Sequence, residues 1–152
     1  MTYTELEGRE GLLDGMERAT ELIGASLEAL TAAYDLVDDQ TADRLEERLF
    51  GPVQQAYGRS KRTLAGFASR HGIPPRTLNP PEQPSSSAAA RELIQSAGRF
   101  AVEADQALAS VQDERSFVEV GDKEMRADLA EVRSAIAPVP QQAAQMLRGL
   151  GR

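Results

Sequence analysis

Residues 4–37 read TELEGREGLLDGMERATELIGASLEALTAAYDLV, and their spacing decides the fold class. Leu6, Leu13, Met16, Ile23, Leu27, Leu30, Tyr34 and Val37 recur at near-heptad intervals, which keeps one apolar stripe of a helix facing its neighbours. Three further seams follow the same rule. They read Leu49, Val53, Ala56, Ser60, Thr63, Phe67; then Ile94, Ala97, Ala101, Ala104, Leu108, Val111; then Met125, Leu129, Val132, Ile136, Val139, Ala143, Met146, Leu150. The pattern predicts an all-α chain: an antiparallel four-helix bundle of two helical hairpins, in a single domain over residues 1–152.

The boundaries come from capping and breaking residues. Thr4 with Glu7 predicts a capping box for the first helix, which should run to about Val37. Asp38 to Thr41 then forms a short turn, so the first two helices are antiparallel neighbours. The second helix stops at Arg70-His71-Gly72 before Pro74 and Pro75, closing a first hairpin over 4–72. A proline-rich linker over 73–85 follows, and Ser85, Ser86 and Ser87 offer caps for a second hairpin over 86–150. The linker's reach of roughly 40 Å nearly equals the length of a 28-residue helix, so the topology across it stays open. Asp122 caps the last helix after a loop over 113–121, with Phe117, Val118 and Val120 folding over the bundle end. Pro52 in the second helix, and Pro138 and Pro140 in the fourth, predict kinks rather than reversals, because the seam keeps its phase across them.

Composition narrows the chemistry. The chain has no cysteine or tryptophan and a net charge of −7, and its first fifty residues carry thirteen acids against four bases. Acidity of this kind repels nucleic acid and anionic membranes, and no run approaches the roughly 20 apolar residues of a membrane span. The expectation is a cytoplasmic protein with neither nucleic acid nor membrane as partner. His71 is the only histidine and sits at a helix C-terminus; no Glu-x-x-His pair exists for a dimetal bundle. No catalytic residue, metal ligand or cofactor site is assigned. Tyr34 and Asp38 share the tyrosine-to-acid spacing of type VII secretion substrates, but the Trp-x-Gly turn that precedes it there is missing, and Tyr34 is assigned to the seam.

Two surfaces compete for a functional role. Gly8, Gly11 and Gly15 each cost a helix about 1 kcal/mol relative to alanine, and Leu22, Ala25, Ala29, Ala32 and Leu36 continue their side. This strip is either a wide buried face or an interface with a second copy or another protein. The stretch Arg59, Lys61, Arg62, Arg70 and Arg76 contains no acid, and is either a solvated complement to the acidic first helix or a patch for an anionic partner. The sequence thus favours a non-catalytic scaffold or interaction module that self-associates. A small-molecule-binding bundle with a core pocket near Val53 or Val139 is the alternative, and a ferritin-like metal-dependent enzyme is the weaker one.

Overall fold

The computed structural model describes residues 1–81 and 88–150. Among them regular structure is wholly helical, with no strand. The elements are α1 (Tyr3–Tyr34), α2 (Asp39–Leu45), a π-helical turn (Glu46–Phe50), α3 (Gly51–Arg70), α4 (Ala90–Asp113), α5 (Arg115–Glu119), α6 (Lys123–Ile136) and α7 (Val139–Leu150).

Helix ends follow the expected chemistry with local corrections. Thr2, not Thr4, caps α1: its hydroxyl accepts the Glu5 N–H (3.1 Å), while its own N–H donates to the Glu5 carboxylate (2.9 Å). Thr2/Glu5 and Thr4/Glu7 have the same spacing, and the upstream pair adds two residues of helix. At its other end α1 stops at Tyr34, short of Val37. Asp38 caps α2 by accepting the Thr41 N–H at 2.7 Å, a hydrogen bond that lowers its carboxyl pKa. α3 closes with a Schellman motif: Gly72 takes φ of +66°, Ile73 N–H donates to Ala68 O (2.9 Å), and Gly72 N–H to Ser69 O (3.3 Å). The serines proposed as caps, Ser85, Ser86 and Ser87, lie outside the described residues; Ala89 occupies the N-cap position of α4 without a side-chain bond.

Pro52 neither ends nor restarts the helix. The chain passes from α2 to α3 through the π turn, where Gly51 N–H reaches back to Glu46 O. A wider turn lets the ring sit without clashing against the preceding carbonyl. Glycine suits position 51, since a Cβ would lie 3.2 Å from that Glu46 oxygen. The last helix is interrupted at Ala137–Pro138 and resumes at Val139, with Pro140 in its first turn. Met125, Leu129, Val132, Ile136, Val139, Ala143 and Met146 are nevertheless all buried, so the seam crosses the break in phase.

Named contacts give the relative directions of the long helices. Thr20 meets Ser60 and Gly24 faces Tyr57, so α1 and α3 run antiparallel. Ser26 bonds Ala97 O and Gly15 faces Val111, so α1 and α4 are antiparallel too. α3 is antiparallel to α6 through Arg70–Asp122 and Arg59–Asp128, and α4 to α6 and α7 through Arg133–Asp105 and Gly98 against Ala143. α3 and α4 must therefore be parallel, and the connection between them has to travel the length of the molecule. Its described part lies along α1: Arg76 pairs with Asp14 and Glu17, and Asn79 N–H donates to Glu21 at 2.5 Å. The topology left open by linker length is thereby resolved.

The core is aliphatic with a few satisfied hydroxyls. Thr20 and Ser26 are fully buried. Thr20 O–H donates to Met16 O at 2.7 Å, which leaves its oxygen to accept from Ser60. Ser26 O–H donates to Ala97 O at 2.9 Å across the α1–α4 contact. Buried hydroxyls cost stability only when unpaired, and these are paired. Within the expected 113–121 loop a short helix, α5, turns Phe117 inward, while Val118 points outward at 74 % exposure.

Candidate functional site

The glycine-and-alanine strip of α1 is divided by the fold. Leu22, Ala25 and Ala29 are buried, and Gly8 and Gly15 are half-buried against neighbours from the same chain. A Cβ on Gly8 would lie 2.9 Å from Val120, and one on Gly15 would lie 2.5 Å from Val111, so α4 and the segment after α5 fill this face from within. Gly11, Ala32 and Leu36 remain exposed. A Cβ at Gly11 would meet nothing within 4 Å.

The basic stretch is likewise dispersed. Arg59 pairs with Asp128 (3.6 Å), Arg70 with Asp122 (2.8 Å) and Glu124 (2.9 Å), and Arg76 with the acids of α1. Lys61 sits 4.4 Å from the Tyr57 ring centroid, and Arg62 is exposed. Complementarity to the acidic first helix thus comes from the linker, whereas α3 spends its cations on α6.

His71 has a structural setting. Its Nε2 lies 2.9 Å from Asp122 Oδ2, beside the bidentate Arg70, and its ring contacts Phe67 with centroids 4.6 Å apart. Partial burial pushes the Asp122 carboxyl up, but bonds from Arg70, the Met125 N–H and His71 outweigh it and hold the group far below the ordinary carboxylate range. One carboxylate therefore caps α6 and ties it to the end of α3. Among the described residues no group of three or more His, Asp or Glu is placed to hold a metal ion.

Surface recesses are the remaining candidates. One, about 700 Å³, lies between the N-terminal part of α1 and α5, lined by Gly8 and Gly11 and by the charged Glu5, Glu7, Glu114, Arg115 and Glu119. A second, about 380 Å³, is lined by Arg44, Arg48, Gln145, Met146 and Leu150. A smaller slot of about 170 Å³ lies between the last turn of α1 and the π turn, walled by Thr31, Tyr34, Asp35, Glu46 and Phe50. Next to it Tyr34 and Leu36 are 40 % and 56 % exposed. Val53 and Val139, beside the prolines, are fully buried.

Tyr34 was expected on the seam and is instead turned out. The strict heptad series Leu6, Leu13, Thr20, Leu27, Tyr34 drifts about 20° per heptad on a straight helix. Its members pass from half-buried through fully buried to exposed, which is that drift made visible. Asp35 and Glu46 were not singled out by sequence; the Gly51-Pro52 pair is the one signal that marks the segment as irregular.

Comparison of the chain with protein-family models, with curated proteins and with solved structures yields no match. None of the chain's described helices is long and apolar enough to cross a membrane.

Proposed function

We propose that this protein is a non-catalytic interaction module, built as an antiparallel four-helix bundle of two hairpins bent at Pro52 and at Pro138–Pro140. It acts in the cytoplasm by engaging other proteins, a second copy of itself included, through the corner where α1 meets the π turn. The observation that carries this reading is the exposure of Tyr34 and Leu36 beside an aromatic-walled slot, while every member of the second and third seams is buried. Apolar surface rimmed by polar groups is the usual mark of a protein contact. Ala32 and Leu36, the outer end of the small-residue strip, belong to this same stretch of α1.

Light scattering behind size exclusion, over a dilution series, tests it. The expected result is a concentration-dependent dimer that Leu36→Glu abolishes. A monomer at every concentration removes self-association and restricts the module to foreign partners. A dimer indifferent to Leu36→Glu moves the contact to the open face at Gly11.

A small-molecule role has one observation in its favour. The recess at the start of α1 falls within the roughly 300–1,000 Å³ typical of ligand pockets. Four carboxylates and Arg115 line it, Arg115 pairing with Glu119, and the remaining acid excess suits a cationic ligand.

A further inference from the structure

We infer that the slot between α1 and the π turn receives an arginine side chain presented by a basic segment of a partner protein. The inference rests on the proposal that this corner is the docking surface, and it specifies the chemistry of the occupant.

The size of the slot comes first. At about 170 Å³ it is too small for a typical drug-sized ligand and for a helix, but it has room for one extended side chain. Its walls then select which side chain. Tyr34 and Phe50 present aromatic surface, and Asp35 and Glu46 place a carboxylate on each of the two elements that form the slot. Both carboxylates belong to exposed residues and stay hydrated beside an apolar occupant, which would gain nothing from them. A cation pairs them and lies favourably over the rings.

Asp14 and Glu17 are paired with Arg76, Asp105 with Arg133, Asp122 with Arg70 and Asp128 with Arg59. Like other exposed acids such as Glu7, Glu28 and Glu47, Asp35 and Glu46 carry no ion pair among the described residues, and it is their place at the slot that sets them apart. The arginines of the adjoining segment, Arg44 and Arg48, line the separate recess beside α7. No basic residue occupies the last turn of α1, so the negative end of its dipole faces the slot uncompensated. Charge and dipole act together there, and the region asks for a cation from outside.

Arginine satisfies the site better than lysine. Its guanidinium is planar, stacks on aromatic faces and can fork to carboxylates, and it is more weakly hydrated than an ammonium.

The test is an amide-resolved NMR titration of the full chain with the blocked pentapeptide acetyl-Ala-Leu-Arg-Leu-Ala-amide. Matched peptides carry citrulline, the neutral isostere, or lysine in place of arginine. The expected result is shifts confined to residues 31–36 and 46–50, with citrulline binding roughly tenfold weaker and lysine in between. Asp35→Asn and Glu46→Gln, both substitutions of exposed side chains, should each weaken the arginine peptide several-fold while leaving the remaining spectrum unchanged. Equal binding of the citrulline peptide overturns the arginine inference and leaves the docking corner standing as an apolar site. Shifts of the same amides with protein concentration alone assign the slot to a second copy, and also overturn it. No shift at the corner with any peptide overturns it independently of the light-scattering result.

Discussion

At the scale of single residues, the three glycines of α1 have different reasons for being glycine. Gly15 has Val111 where a side chain would go, whereas Gly11 faces open space. Alanine at 15 should therefore destabilise the fold by about 1–3 kcal/mol through overpacking. Alanine at 11 should stabilise it by up to about 1 kcal/mol through helix propensity. Urea denaturation of the two variants, read as opposite shifts in midpoint, checks the pair. Asp122 carries a different kind of dependence. Its carboxyl pKa is lowered in the folded protein, so its contribution is complete above the unfolded value near 4 and is lost as pH falls through the folded one. Asp122→Asn should lower stability at neutral pH and flatten the loss of stability seen on acidification from about pH 5 to 2. Denaturant midpoints at several pH values measure both effects.

At the scale of elements, the seams were legible and the ends were legible in kind. Every residue of the second and third seams is buried, as the spacing predicts. Apolar period reports which side of a helix faces inward, and it does so irrespective of what the neighbour is. What it misses is cumulative rotation, which is why Tyr34 leaves the core at the end of the longest helix. Nor does a proline announce whether the helix will break, bend or widen: Pro52 is absorbed by a π turn, while Pro138 accompanies a true interruption. The stop signal at Arg70-His71-Gly72 was the clearest and was met in full. Gly72→Ala must place a Cβ in the left-handed region and should cost about 1–2 kcal/mol. Thermal unfolding followed by circular dichroism gives the measurement. The candidate slot was not legible, because its walls come from two elements whose approach depends on the π turn.

At the scale of the whole molecule, α1 touches α3, α4, α5 and the linker, so neither hairpin has a closed core without the other. Unfolding should consequently be a single transition, with helix content and tyrosine fluorescence changing together in urea. Two separated midpoints would mean that one hairpin stands alone. The direction of α4 relative to α3 could not be read from the chain, since a linker of that reach permits either; Arg76 and Asn79 on α1 decide it. The strap along α1 has a final consequence. It adds Ile73, Leu78 and the Arg76 ion pairs to contacts made mainly by the packed seams, and it also tethers the two halves at high effective concentration. Expressed as separate polypeptides, the segments before and after it should find one another and reconstitute the fold, which would make the chain a natural template for a split protein.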